Sequence, residues 1–253
     1  MFYLMNIKQH MDLIKACIRF IGWSSNEQSM DLIKACISKD TEKALELIMN
    51  NDTDLSIVDS YGSTALIWAC HHKMTEVALE LIKTGHAKPE QITKWGYTAL
   101  IWACQNKMKE VSLKLIETGK SNPDQITKDG KTALILACSN KKMKEVALEL
   151  IKTGKSNLEY IAKDGKTALI WACNKKMKEV ALELIKTGKS NPEHIAKDGK
   201  TALSWACEKG MKEVALELVS IGAFTINDLL FMKPEWVPEL FIMNPVDVTE
   251  VNI

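Results

Sequence analysis

The sequence has no excess of charge of either sign and no long apolar run. Its 33 lysine and arginine residues are matched by 32 aspartate and glutamate residues, whereas nucleic-acid-binding proteins usually carry a clear basic excess. No segment reaches the roughly 18 consecutive apolar residues that cross a membrane. The first 22 residues are fairly apolar but contain Lys8, Asp12, Lys15 and Arg19, which argues against a secretory signal. We therefore predict a cytoplasmic protein that binds neither nucleic acid nor membrane.

Residues with catalytic or metal-binding spacing are also scarce. The chain has only five histidines, no glycine-rich phosphate loop, and no pair of acidic residues placed to converge on one point. One cluster, Cys70-His71-His72, resembles a ligand or nucleophile set. Cys70, however, belongs to a regularly spaced series of cysteines with a simpler structural explanation. We predict no enzyme activity, no metal and no cofactor.

One block of sequence, Gly-x-Thr-Ala-Leu-x-x-Ala-Cys, occurs five times. Its glycines are separated by 34, 34, 35 and 34 residues, and they are Gly62, Gly96, Gly130, Gly165 and Gly199. A period in this range is typical of repeat arrays, in which each unit buries its apolar face only against its neighbours. Such an array predicts an extended surface that holds a partner, rather than a pocket that reacts with a substrate.

A single copy, residues 165–198, shows the expected structure of the unit. Gly165 predicts a turn with positive φ, and Thr167 predicts the N-cap of a short first helix. A second helix is predicted from Met177 to Thr187, with an apolar stripe on one face. Gly188 follows it in the position that favours a left-handed C-terminal cap.

Cysteine and tryptophan recur at fixed places in the units. Neighbouring helices lie about 8–10 Å apart, whereas a disulfide needs Cα atoms within about 7 Å. We therefore interpret the regularly spaced cysteines as small buried residues: Cys36, Cys70, Cys104, Cys138, Cys173 and Cys207. The tryptophans of the first helices are likewise interpreted as packing between repeats: Trp68, Trp102, Trp171 and Trp205.

These features resemble the ankyrin repeat, a unit of about 33 residues that contains Thr-Pro-Leu-His-x-Ala. The resemblance covers Gly62 to Gly222, and its five copies begin at Thr64, Thr98, Thr132, Thr167 and Thr201. Alanine replaces the proline, isoleucine or Ser204 replaces the histidine, and Asn-Pro-Glu stands in the loop that the family uses as a β-hairpin finger. The resemblance implies an all-α, ankyrin-type helix-turn-helix solenoid with five clear repeats plus degenerate capping repeats.

The repeat period also predicts how the chain is divided. Cys36 lies one period before Cys70, so residues 26–61 are predicted to form an N-terminal capping repeat. Residues 1–25 before it are predicted to be a helical extension. Within that extension, Met11–Ile18 has the same sequence as Met30–Ile37. Five repeats follow, at 62–95, 96–129, 130–164, 165–198 and 199–222. Residues 223–253 are predicted to cap the apolar end, and the alternative is a docking segment in which Pro238-Glu239-Leu240 faintly resembles an F-box.

Ankyrin arrays bind partners around the Gly-x-Thr turn and the turn after the first helix, and the resemblance carries these places over to this chain. The first two repeats have aromatic residues there, whereas the last three have nearly identical lysine-rich turns. Because aromatic residues are the usual anchors of binding energy, we predict an aromatic anchor patch, with lysines that steer an acidic partner. The alternative to a binding patch is that the sequence of these exposed turns varies freely, without a functional reason. The predicted binding residues are Tyr61, His71, His72, Trp95, Tyr97, Lys131, Lys166 and Lys200.

The predicted function is a non-catalytic scaffold that binds a partner protein. Two alternatives remain open: a ubiquitin-ligase substrate adaptor that uses the C-terminal segment, and a structural array that self-associates through Leu79, Leu113, Leu148, Leu182 and Leu216. The last three units are so alike that the array resembles those of giant DNA viruses, which implies action on host proteins inside the host cell. We expect a monomer.

Overall fold

The computed structural model describes residues 23–225, 228 and 231–236. The duplicated segment Met11–Ile18 and the tripeptide Pro238-Glu239-Leu240 therefore lie outside the described residues. The chain divides into two compact units at Ser121 and Asn122. Each unit is described by itself.

The first unit contains the predicted capping repeat, the first repeat and both helices of the second repeat. Its six helices are α1 (Trp23–Ser38), α2 (Thr41–Met49), α3 (Ala65–His71), α4 (Thr75–Thr84), α5 (Ala99–Gln105) and α6 (Lys109–Glu117). First helices pack against first helices (α1, α3 and α5), and second helices against second helices (α2, α4 and α6). Each pair of helices therefore stacks on the next, as the repeat period predicts.

The second unit contains the last three repeats. Its helices are α7 (Ala133–Cys138), α8 (Lys144–Lys152), α9 (Ala168–Asn174), α10 (Lys178–Lys186), α11 (Ala202–Glu208) and α12 (Lys212–Ser220), with short 3₁₀ turns at Lys141–Met143 and Pro234–Trp236. The extra lysine of the third repeat is absorbed in the turn at Lys141–Met143, so both flanking helices keep their packing. No strand occurs in the part of the chain that the structure describes, and in the loop with Asn-Pro-Glu the residues Pro192 and Glu193 form a turn.

The repeated threonine begins each first helix. Its hydroxyl accepts a hydrogen bond from the backbone N–H three residues later, at 3.1–3.3 Å, in Thr64, Thr98, Thr132, Thr167 and Thr201. These caps satisfy backbone donors that the helix itself leaves unpaired. The second helices are followed by a glycine in the left-handed region, for example Gly188 with φ of 67°. The predicted beginning and end of the unit are thus both present.

Outside the third repeat, the turn between the first and second helix also has a residue with positive φ, although that residue is glycine only once. Lys39, Lys73, Lys107 and Lys176 have φ between 56° and 64°, and the equivalent residue of the last repeat is Gly210 with φ of 67°. A residue with a Cβ is strained in this region. The repeated packing of the helices on either side therefore imposes the backbone conformation on lysine.

The six cysteines of the described residues are buried and free. Burial disfavours the thiolate and raises the pKa of Cys36 to about 12, of Cys104 to about 12 and of Cys207 to about 11. Thiols that do not ionise near neutral pH are poor nucleophiles and poor metal ligands. The interpretation of the cysteines as small buried residues is confirmed.

The residues after α12 contact the last repeat. Asp228 is fully buried, and its carboxylate accepts hydrogen bonds from the hydroxyls of Thr201 and Ser204 and from the backbone N–H of Thr225. Trp236 is also buried, with 7% of its surface exposed. The replacement of isoleucine by Ser204 in the last repeat thus has a physical reason, because a buried carboxylate needs a polar partner.

Candidate turn surface

All five Gly-x-Thr turns have the same backbone, and each turn is named after the repeat that its glycine begins. The residue three places before the glycine accepts a hydrogen bond from the glycine N–H and donates its own N–H to the carbonyl of the residue after the glycine. These residues are Asp59, Thr93, Thr127, Ala162 and Ala196. Because the main chain is the same in every repeat, the turns differ through their side chains.

In the first repeat, Asp59 holds the turn and the neighbouring tryptophan together. Its Oδ1 accepts from the backbone N–H groups of Tyr61 at 2.8 Å and Ser63 at 2.9 Å. Its Oδ2 accepts from the indole N–H of Trp68 at 2.8 Å. A single carboxylate therefore satisfies two backbone donors and one side-chain donor.

In the second and third repeats, threonine satisfies one backbone donor of the turn. Thr93 Oγ1 accepts from the N–H of Tyr97 at 3.0 Å, and Thr127 Oγ1 accepts from the N–H of Lys131 at 2.9 Å. The Lys131 ammonium lies 3.0 Å from the Asp129 carboxylate. This lysine is thus held by an acidic neighbour in its own turn.

In the fourth and fifth repeats, alanine occupies the position of Asp59, and an aspartate two residues later bonds the backbone. Asp164 Oδ1 accepts from the N–H of Lys166 at 3.0 Å, and Asp198 Oδ1 accepts from the N–H of Lys200 at 3.2 Å. The indole N–H groups of Trp171 and Trp205 are buried and have no hydrogen-bond partner among the residues that the structure describes. Moving the acceptor along the turn thus leaves both indoles unsatisfied.

The predicted aromatic residues of the first unit form two groups. Tyr61 and Trp95 are 48% and 49% exposed, and their ring centroids lie 5.3 Å apart. The second group is a row of rings in contact: His72 stacks on Trp68, His71 meets the edges of Trp68 and Trp102, and Tyr97 stacks on Trp102 at 4.4 Å. We call this row the aromatic row.

Both histidines of the aromatic row are kept neutral by their surroundings. Burial is the larger cause of the lowered pKa of His71, and the positive charge of Lys39 adds to it. Burial also lowers the pKa of His72, with smaller contributions from His71 and Lys39. The Asn106 amide donates to the carbonyls of Cys70 and His71 at 2.9 Å, which fixes the turn that carries the histidines. The row is therefore an uncharged surface at neutral pH.

In the second unit, lysines lie over the tryptophans. The ammonium groups of Lys166 and Lys175 lie 5.5 and 5.1 Å from the ring centroid of Trp171. Those of Lys200 and Lys209 lie 4.2 and 5.0 Å from the centroid of Trp205. A cation within about 6 Å of a ring centroid is attracted by the negative face of the ring. In this unit the neighbours of the tryptophan rings are therefore lysines of the same chain, not other aromatic side chains.

The lysines predicted to steer a partner also have acidic partners of their own. The Lys166 ammonium lies 2.8 Å from the Asp198 carboxylate, and the Lys200 ammonium pairs with Glu208. The five predicted aromatic residues lie in the first unit, and the three predicted lysines in the second.

Sequence reasoning missed two features of this surface. The tryptophans are partly exposed, so their interpretation as packing alone was incomplete, and Asp59 was not singled out. The helical spacing of Trp68, His71 and His72 places them on one face, which could have indicated a surface row. Alanine stands at the position of Asp59 in the fourth and fifth repeats. This difference could have shown that the hydrogen-bond acceptor of the turn differs between repeats.

Within the described part of the chain, no group of three or more histidine, cysteine or acidic residues is arranged to hold a metal ion. Across the same residues, no helix combines the length and apolar character of a membrane span.

The family described as "Ankyrin repeats (3 copies)" matches residues 32–126, 73–162, 113–193 and 149–228. The chain belongs to the ankyrin-repeat family. The prediction of an all-α, ankyrin-type repeat fold is thereby confirmed, and ankyrin repeats generally mediate binding between proteins.

Two solved structures show the same fold. One chain in the solved complex of the Bd0816 predatory endopeptidase from Bdellovibrio bacteriovorus with immunity protein Bd3460 is 28% identical, with a TM-score of 0.56. The match covers 74% of this ankyrin-repeat chain and 96% of that one. The ankyrin repeat protein EF0377 is 25% identical, with a TM-score of 0.57 and the same coverages. No curated protein matches the chain.

Proposed function

We propose that this chain is a non-catalytic scaffold that binds a partner protein through the turn surface of its repeats. In this proposal, Tyr61, Trp95 and the aromatic row of the first unit anchor the partner. Lys131, Lys166 and Lys200 of the second unit attract its acidic groups, with a monomer as the active form. The observation that carries the proposal is the exposed pair of rings at the turn tips, Tyr61 and Trp95. Exposed aromatic residues are favoured anchors of protein interfaces.

The two units also differ in charge. Residues 23–121 contain eleven lysines and thirteen acidic residues, whereas the described residues from 122 to 236 contain nineteen lysines and fifteen acidic residues. A partner with an apolar part and an acidic part would complement both surfaces. We further propose that the protein acts in the cytoplasm of a host cell as a viral product, because its nearly identical copies resemble the arrays of giant DNA viruses.

The test begins with proximity labelling and pull-down in the native cell, which identify the partner. Trp95→Ala combined with Tyr97→Ala is then expected to weaken binding by 10-fold or more, since truncation of an anchor costs about 2 kcal/mol or more. Met49→Ala, which truncates an apolar residue that is 73% exposed at the end of α2, is the matched control and should bind normally. Because Tyr97 packs on Trp102, Trp95→Ala alone separates loss of contact from loss of packing. Unchanged affinity in both aromatic variants would refute the anchor.

One alternative is self-association through the second helices. Leu79 and Leu113 in the first unit and Leu148, Leu182 and Leu216 in the second are only partly buried. This alternative predicts that the mass measured by analytical ultracentrifugation rises with concentration, and that replacing the leucines of one unit by glutamine abolishes the rise.

The other alternative is a ubiquitin-ligase adaptor that uses the C-terminal segment. Residues 237–253 are the deletion to make, because Asp228 and Trp236 are buried. Co-purification of ligase subunits that is lost on this deletion would favour the adaptor over the scaffold.

A further inference from the structure

Two buried donors of the second unit have no acceptor. The indole N–H groups of Trp171 and Trp205 occupy equivalent positions in successive repeats, and neither has a partner among the described residues. Buried polar groups are nearly always hydrogen-bonded, and each exception calls for a physical explanation. That the same exception occurs twice, in the same environment, indicates a feature of the turn rather than a local irregularity.

The first repeat shows which group fits this position. There, the Asp59 carboxylate accepts from the indole N–H of Trp68 at 2.8 Å. The backbone bonds of the turn are the same at Asp59, Ala162 and Ala196. The chain itself therefore demonstrates that a carboxylate satisfies this indole in this turn. In the fourth and fifth repeats, alanine does not reach the indole.

The charges around the two indoles favour an anion from outside the chain. The ammonium groups of Lys166 and Lys175 lie 5.5 and 5.1 Å from the ring centroid of Trp171, and those of Lys200 and Lys209 lie 4.2 and 5.0 Å from that of Trp205. Lys166 pairs with Asp198, and Lys175 has no acidic partner among the described residues, while Lys200 and Lys209 share the carboxylate of Glu208. Within that part of the chain, each pair of lysines therefore faces a single carboxylate. A carboxylate placed beside either indole would accept one N–H bond and lie within the field of two cations.

Access to the indoles depends on side chains that move easily. The lysine chains extend over the tryptophan rings, and both rings are partly exposed. Surface side chains change rotamer within picoseconds to nanoseconds. A carboxylate can therefore reach the indole when the lysines swing aside, and the same lysines can then close over it.

We propose that Trp171 with Lys166 and Lys175, and Trp205 with Lys200 and Lys209, are two sockets for acidic side chains of a protein partner. The proposal rests on the function proposed above and names the chemistry that the second unit recognises. Neighbouring first helices lie about 8–10 Å apart, and a polyproline II segment has three residues per turn with a rise of about 3.1 Å per residue. A segment in this conformation with acidic residues at positions i and i+3 presents both side chains on one face, about 9 Å apart, and therefore matches the two sockets.

The test follows the indole N–H resonances of the intact protein by ¹H–¹⁵N NMR. The probe is a peptide with blocked ends that contains Glu-Gly-Gly-Glu, compared with Gln-Gly-Gly-Gln and with a peptide that has one glutamate. We expect the Trp171 and Trp205 resonances to move with the glutamate peptide and not with the glutamine peptide. Because the second contact is intramolecular, the peptide with two glutamates should bind at least about 10-fold more tightly than that with one.

Two sets of variants control the experiment. Ala162→Asp and Ala196→Asp supply an internal carboxylate, as Asp59 does, and should abolish the response of Trp171 and Trp205 respectively. Asp59→Ala frees the Trp68 indole beside His71 and His72 instead of two lysines, so the Trp68 resonance should respond to the peptide less than those of Trp171 and Trp205. Resonances that do not move, an equal response to the glutamine peptide, or a response that persists in both aspartate variants would overturn the proposal.

These measurements do not require the natural partner. Failure of the sockets would therefore leave the aromatic anchor of the first unit untouched. Conversely, a partner that binds normally to both aromatic variants, Trp95→Ala and Trp95→Ala with Tyr97→Ala, would overturn the anchor without affecting the sockets.

Discussion

The first repeat, in the first unit, and the last two, in the second, build the same turn with different side chains. In the first repeat one carboxylate, that of Asp59, bonds both the backbone of the turn and the indole of Trp68. In the last two repeats the carboxylate has moved by two residues to Asp164 and Asp198, where it bonds the backbone. The indoles behind it are left without an acceptor.

This difference shows that variation at an exposed turn has consequences for the residues beneath it. In the first unit the tryptophans contact other aromatic rings: His72 stacks on Trp68, and Tyr97 stacks on Trp102. In the second unit the tryptophans instead contact lysine ammonium groups, for example that of Lys200 over the ring of Trp205. One scaffold thus presents an uncharged aromatic surface in one unit and a cationic surface in the other.

The largest effect is expected from removing the carboxylate of the first repeat. Asp59→Ala leaves two backbone donors and the indole N–H of Trp68 without their acceptor, and charged hydrogen bonds contribute about 1.5–3 kcal/mol each. We expect the free energy of unfolding, measured by urea denaturation, to fall by about 3 kcal/mol. Ser60→Ala, at the exposed neighbouring position, should change it by less than about 0.5 kcal/mol. A loss of the same small size in both variants would contradict the role of Asp59.

The reverse change in the second unit should stabilise the protein. Ala162→Asp and Ala196→Asp each place an acceptor beside an unsatisfied indole, and each is expected to add about 1 kcal/mol to the free energy of unfolding. Ala162→Ser, whose hydroxyl is too short to reach the indole as Asp59 does, is the control and should add little. If the serine and aspartate variants were equally stable, the comparison between the two turns would fail.

Both units should respond alike at the turns with positive φ between first and second helices, where their backbones agree. Replacing Lys73, Lys107 or Lys176 by glycine relieves the strain of a Cβ at positive φ, and we expect a gain of about 0.5–1 kcal/mol in each case. Gly210→Lys should lose a similar amount. Thermal unfolding of the four variants measures these changes. A gain in one unit alone would show that the turns are held differently.

The smallest effect is a dependence on pH that belongs to the first unit. Because burial lowers the pKa values of His71 and His72 below the ordinary value of 6.5, the unfolded chain binds protons more readily than the folded chain. The contribution of these histidines to stability is present above about pH 6.5 and is lost as the pH falls through their folded pKa values.

Urea denaturation between pH 5 and 8 measures this slope. His71→Gln combined with His72→Asn gives the first repeat the residues that the second repeat has at these places, Gln105 and Asn106. The slope between pH 5 and 6.5 should become shallower in this double variant. An unchanged slope would mean that other groups cause the dependence.

Most of the fold follows from the sequence. The period of 34 residues, the threonine caps and the glycines after the second helices each make a local prediction, and all agree with one repeat unit. Thr167, Gly188 and the apolar stripe of α10 are as predicted. The beginning of α1, at Trp23, could not be predicted in the same way. The capping repeat lacks the Gly-x-Thr block that indicates where the other first helices begin.

The turn surface could be predicted only in outline. The positions of Tyr61, Trp95 and the lysines follow from the repeat, but the contacts between them do not. Lys166 pairs with Asp198, 32 residues away in sequence, and Tyr97 stacks on a tryptophan of its own repeat. Such contacts depend on side-chain rotamers and on the distance between stacked helices, which local patterns do not contain.

The sequence by itself determined the repeat unit, the number of copies and the burial of the cysteines, because short-range capping and apolar spacing act within a few residues. Tertiary structure alone decided which ring meets which cation and which donor remains without an acceptor. The physical reason is that hydrogen bonds and ring contacts require matching distances and directions between residues that only the packing of the helices brings together. Asp59 and Ala162 have the same place in the sequence pattern, and their different effects become visible only when the indole lies beside them.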